Sequence, residues 1–178
     1  MASTSPARIW MMRMAFPALA LVLIFFHLLP LDTLPRRWAP PDLLLALAMA
    51  WSLRRPDFVP VLLLGATMLV ADMMFQRPPG LFALLVVLGC EFLKSRIPPH
   101  RETAFAAEWL AVAFVIAGIV VLNRAILAIL AVAQAPLGLT LIQALLTIAA
   151  YPLVVIFSQS LLGVRKLSPA EAEALGSR

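Results

Sequence analysis

Gly65-Ala66-Thr67-Met68-Leu69-Val70-Ala71-Asp72-Met73-Met74-Phe75-Gln76-Arg77-Pro78-Pro79-Gly80-Leu81 is an apolar run that carries one carboxylate, stops at a basic residue and a proline pair, and resumes after glycine. Proline removes a backbone donor and glycine tolerates turn conformations, so Pro78-Pro79-Gly80 reads as a turn between two apolar helices. A carboxylate late in such a helix is expensive to bury, which makes Asp72 a candidate site. The same punctuation repeats in both directions. Prolines separate six apolar runs, approximately Met14–Leu31, Ala39–Leu53, Phe58–Phe75, Gly80–Leu93, Phe105–Ala133 and Leu137–Gly163.

The composition explains why the runs are this apolar. Of 178 residues, 63% are hydrophobic and 13% charged, and the mean hydropathy is +0.98. Soluble domains carry roughly 45–50% apolar and about 25% charged residues. A globule this apolar cannot cover its surface with polar groups, so membrane lipid is part of its solvent. Each crossing needs ~20 residues, which leaves room for six crossings and no further domain. In lipid an open chain satisfies its backbone only as helix. The reading is an all-α polytopic membrane protein, residues 1–167 forming a six-span bundle and 168–178 a short tail. In the tail, Ser168-Pro169-Ala170-Glu171 has the form of a helix start.

Arg8 and Arg13 precede the first run in the manner of a signal peptide, but no small-x-small cleavage site follows, so the run reads as an uncleaved anchor. Ala39–Leu53 and Gly80–Leu93 are short for perpendicular spans; snorkelling of Arg54, Arg55, Lys94 and Arg96 would extend them, and a re-entrant segment is the alternative. With six spans and the N-terminus inside, cytoplasmic segments hold Arg8, Arg13, Arg54, Arg55, Lys94, Arg96, Arg101, Arg165, Lys166 and Arg178. The outer loops hold Arg36, Arg37 and Arg77, with Arg124 near the outer end of a helix. That asymmetry satisfies the positive-inside rule with both termini cytoplasmic, at a bacterial inner membrane. The net charge of +5 is spread singly or in pairs, a pattern that suits headgroups rather than nucleic acid.

No catalytic constellation is evident. His27 and His100 have no spaced carboxylate or thiolate partners, so neither a metal site nor a cofactor is expected. Cys90 reads as a small packing residue. Asp72 and Arg124 reach similar outer-leaflet depth, so an Asp72–Arg124 pair would neutralise both, with Arg77 or headgroups the alternative partners. Such a seam either docks a partner or substrate or staples the bundle. Glu91 and Lys94 are spaced for a local ion pair. Thr140, Gln143, Thr147 and Tyr151 form one polar stripe that should face the bundle, and Pro152 should bend the same helix.

Two stretches resemble the rod shape-determining protein MreD family. Pro41-Asp42 through Arg54-Arg55-Pro56 looks like that family's second span and inner loop. Gly65, Asp72 and Arg77-Pro78-Pro79-Gly80-Leu81 follow its glycine–aspartate–proline–glycine pattern, with Pro78-Pro79-Gly80 where the family more often has Pro-Leu-Gly. The resemblance implies a non-enzymatic member of the elongasome that binds MreC beside MreB, RodZ, RodA and a class B transpeptidase. It also implies six helices arranged as in the substrate-binding subunits of energy-coupling-factor transporters. A vitamin-binding subunit of that type is the alternative function, and a small enzyme acting on lipid carriers a third. Recognition by a protein with such short loops would run through helix surfaces and turns, where Gly65, Gly80, Gly89 and Gly118 are candidates for close approach. The positions expected to carry partner binding or structure are Asp72, Arg77, Pro79, Gly80, Gly65, Arg124 and Gln143.

Overall fold

A computed structural model describes residues 6–29, 39–97 and 104–164. The tail at 168–178 and the loop residues Arg36, Arg37, His100 and Arg101 lie outside the described residues. The described chain is all-helical, in the order α1 (Pro6–Leu28), α2 (Leu43–Arg54), α3 (Val61–Met74), α4 (Leu81–Arg96), α5 (Phe105–Ile129) and α6 (Leu137–Leu162). The helices coincide closely with the six apolar runs. The main difference is at α1, which begins at Pro6 and so includes Arg8 and Arg13 instead of following them. Proline suits a first helical position, and the Ala, Arg, Ile and Met that follow are all compatible with helix. Arg13 Nε also donates to the Asp57 carbonyl at 3.0 Å, which ties this turn to the α2–α3 connection.

Three helices are long and apolar enough to cross a membrane: α1 over Ala7–Leu28, α5 and α6. The other three have 12, 14 and 16 residues. For α2 the shortness has a packing explanation. Every residue from Leu44 to Arg54 is buried, with α6 and α4 as its main neighbours and α1 on another side. A helix apolar on all faces suits full enclosure, and α2 is packed mainly among α6, α4 and α1. The other main contacts are α3 on α4, α4 on α5, α5 on α6, and α1 on α3. Chain direction alternates, so α2, α4 and α6 run one way and α1, α3 and α5 the other.

Arg54 and Arg55 do not snorkel outward. They are 6% and 4% exposed, because carboxylates wait inside: Arg54 meets Glu108 and Arg55 meets Asp57. Lys94 forms the expected local pair with Glu91 at 2.7 Å. Cys90 is fully buried, its Sγ near Met49 Sδ at 3.6 Å. The ring of His27 packs on Phe75, centroids 4.6 Å apart.

Two helix ends close with six-to-one backbone bonds onto a residue in the left-handed region. Arg77 N–H donates to the Asp72 carbonyl at 2.9 Å around Gln76, and Val132 N–H to the Leu127 carbonyl at 3.0 Å around Ala131. The φ values of Gln76 and Ala131 are 54° and 52°. This motif usually holds glycine there and gives α3 and α5 sharp stops. The long fifth run therefore ends at Ile129 and does not bend along an interface.

Of the glycines expected at close approaches, only Gly89 is one. A Cβ on it would stand 2.8 Å from Val115 Cγ1 and 2.9 Å from Ile119 Cδ1 on α5. At Gly65 the nearest such atom is 3.7 Å away, and Gly118 has open space. Gly89→Leu should force α4 and α5 apart and destabilise the fold by about 1–3 kcal/mol or more. Gly118→Leu should change little. Melting of the two purified variants side by side checks this, and equal melting temperatures would refute the close contact.

Candidate functional site

Helix α2 is short at one particular end, and that is where the polar residues gather. Asp42 caps α2, its side chain accepting from Leu45 N–H at 3.0 Å. Its own N–H donates to Thr147 Oγ1 at 2.8 Å. Thr147 lies roughly 15 Å along α6 from Leu137, at about 1.5 Å per residue. The start of α2 therefore sits well below the start of α6, and a recess opens above it. Its walls are α5, α6 and the turn between α3 and α4.

The recess is a cleft of about 310 Å³ lined by Gln76, Arg77, Asn123, Arg124, Gln134, Thr140 and Gln143, with apolar Phe82, Leu127 and Val132 among them. Below it lies a narrower pocket of about 80 Å³ that shares Arg77, Asn123, Arg124, Thr140 and Gln143 and adds Asp42, Leu45, Ile116 and Thr147. Arg77, Arg124 and Gln143 thus share one cavity, although they belong to three separate segments of sequence. The polar stripe of α6 divides. Thr140, Gln143 and Thr147 face this cavity, whereas Tyr151 serves a different cluster.

Asp72 does not pair with Arg124. Its Oδ2 accepts the backbone N–H groups of Gly80 at 3.1 Å and Ala83 at 3.0 Å. Gly80 is the N-cap residue of α4 and has no side chain to accept from the first turn. Asp72, reaching across from α3, supplies the missing cap. The φ of Gly80 is +90°, a value glycine adopts without strain. Pro79, exposed before it, has the fixed φ that suits such a turn. The other oxygen, Asp72 Oδ1, is buried without a hydrogen-bond partner. Gly65, on the same helix as Asp72, is not part of this turn.

The two arginines have different surroundings. Arg77 lies over the rings of Phe82 and Phe75, 4.6 and 5.0 Å from their centroids, and reaches Asp42 Oδ2 at 3.7 Å. Arg124 donates to the Ala135 carbonyl at 2.9 Å and to Thr140 Oγ1 at 2.8 Å. Gln134 Nε2 donates to the Arg124 carbonyl at 3.2 Å, which leaves Gln134 Oε1 buried without a partner.

At the opposite end a second polar cluster is buried, and sequence reasoning misses its central residue. Glu108, 1% exposed, accepts from Arg54 Nε at 3.0 Å and from Tyr151 O–H at 2.8 Å. The cluster joins α2, α5 and α6. Trp51 Nε1 donating to Ser158 Oγ at 3.1 Å continues it. Phe105 stacks on Tyr151, centroids 6.5 Å apart. The available signal is a lone carboxylate within an apolar helix, in the first turn of α5 for Glu108 and near the end of α3 for Asp72. Among the described residues no group of three or more His, Cys, Asp or Glu could hold a metal ion.

Comparison with known proteins finds no matching family model, no similar curated protein and no similar solved structure. The class that fold and site define is therefore structural: an all-helical protein, three of its helices able to cross a membrane, with a polar recess at one end.

Proposed function

We propose that this chain is a non-enzymatic membrane scaffold of the bacterial cell-elongation machinery, of the MreD kind, binding MreC and supporting rod shape and lateral peptidoglycan synthesis. The observation that carries this reading is the Asp72–Gly80 turn. Asp72 and Gly80, two of the residues that bear the resemblance, belong to one closed turn in which a single carboxylate oxygen, Oδ2, accepts two backbone N–H groups. A carboxylate that caps a neighbouring helix in this way organises the turn between α3 and α4. The hairpin it stiffens presents exposed Leu69, Met73, Met74, Leu84 and Leu88, a face that suits lipid or a partner's single membrane helix.

In this reading all six helices lie in the inner membrane, with both termini cytoplasmic and the recess facing outward. The enclosure of α2 supports it, because a short apolar helix surrounded by longer ones need not match the bilayer by itself. Co-purification tests the proposal: the tagged protein should retrieve MreC from membranes of a rod-shaped host, and its depletion should round the cells. Normal rods after complete loss would sink it. The recess favours a second reading, a small-solute subunit of the energy-coupling-factor type, for which specific vitamin binding by the purified protein is the discriminating result.

A further inference from the structure

We propose that the recess is a binding site for a hydroxylated phosphate group, of the kind carried by a glycerophosphate headgroup. Three independent features point to that chemistry, and none depends on the scaffold reading.

The first is charge. Among the described lining residues the charged groups are Asp42, Arg77 and Arg124. Asp42 offsets one arginine, and only loosely, since Arg77 stands 3.7 Å from it. Arg124 has a carbonyl and a hydroxyl as its hydrogen-bond acceptors and no carboxylate among the described residues. The cavity thus holds one positive charge, on part-buried Arg124, with no carboxylate among the described residues to offset it. A guanidinium fork is the group best matched to phosphate oxygens, and two arginines on opposite segments suit a tetrahedral anion with several acceptors.

The second is the buried, unpartnered Oε1 of Gln134 on the cleft wall. An acceptor left without a donor in a buried place is destabilising. A ligand hydroxyl that met it through a small rotation of the Gln134 side chain would relieve it, whereas an anion without donors would not. The third is size. A volume of about 310 Å³ is at the small end of ligand cavities, which run roughly 300–1,000 Å³. That admits a headgroup but not a large solute. The cleft also borders Leu127 and Val132, beside exposed Ile129, Leu130 and Leu137, so an acyl chain could leave along α5 and α6.

The same chemistry is available from a lipid or from a soluble ester, and one experiment separates them. The full-length protein, purified and stripped of lipid, is offered phosphatidylglycerol, phosphatidylcholine and free glycerol phosphate, with binding read by native mass spectrometry. The expected result is one phosphatidylglycerol retained in preference to phosphatidylcholine. Arg124→Gln should weaken it at least about tenfold, since a charged hydrogen bond contributes more than the 1.4 kcal/mol of one decade. Arg96→Gln, exposed at the opposite end, should not change it. Saturable glycerol phosphate binding with the same dependence on Arg124 supports the proposal with a soluble source. Equal retention of the two lipids, or an Arg124→Gln variant that binds as the parent does, overturns it. If Arg124→Gln does not yield monodisperse protein, Gln134→Leu takes its place. It should lose the preference for phosphatidylglycerol over phosphatidic acid, which lacks the hydroxyls, and an unchanged preference refutes the proposal.

Discussion

Glu108→Leu is expected to destabilise the protein by about 3–5 kcal/mol, the range for removing one partner of a buried ion pair. The cause is what it leaves behind. Arg54, 6% exposed, would keep its charge with no acceptor from Glu108, and the Tyr151 hydroxyl would lose the oxygen it donates to at 2.8 Å. For a chain of this length such a loss corresponds to a fall in melting temperature on the order of 10 °C. The pair itself is not thereby a large source of stability. Removing both charges in Arg54→Met with Glu108→Leu should recover most of the loss, because well-packed apolar residues replace buried pairs at little net cost. A double-mutant cycle on the purified protein checks this. Additive losses would show that Glu108 and Arg54 act separately, contrary to their 3.0 Å contact.

How much of this the sequence discloses depends on the distance over which each feature is determined. Helix positions depend on local residue patterns, and the proline-bounded runs already locate all six. The turn at Pro78-Pro79-Gly80 is similarly local. Partner choice is not. Asp72 and Arg124 share an apparent depth in a linear count, which suggests a pair. In three dimensions Asp72 meets the backbone of the very next helix, because Gly80 leaves that helix without a cap. Arg54 shows the same limit. Two basic residues at the end of an apolar run look like snorkelling side chains unless the carboxylate at position 108 is known to lie inside. The recess is least legible of all, because it arises from the offset between Asp42 and Thr147, residues far apart in the chain with no signature of their meeting.

Asp72 provides the second large effect, and its two substitutions should diverge. Asp72→Leu removes the acceptor for the Gly80 and Ala83 N–H groups, which lie at 3.1 and 3.0 Å from Oδ2. Leaving one buried and one part-buried donor unsatisfied, at up to about 1–3 kcal/mol each, predicts a loss of roughly 2–4 kcal/mol. Asp72→Asn keeps a carbonyl oxygen where Oδ2 now stands and places an amide where Oδ1 is buried and unpartnered. Asparagine caps helices about as well as aspartate, so this variant should stay within about 1 kcal/mol of the parent. The scaffold reading adds a second measurement. If the turn works by holding the α3–α4 hairpin rigid, Asp72→Asn should retrieve MreC as the parent does and Asp72→Leu should not. Equal failure of both, with Asp72→Asn still stably folded, would mean that the charge itself is recognised, and the closed turn could no longer be the reason Asp72 is there.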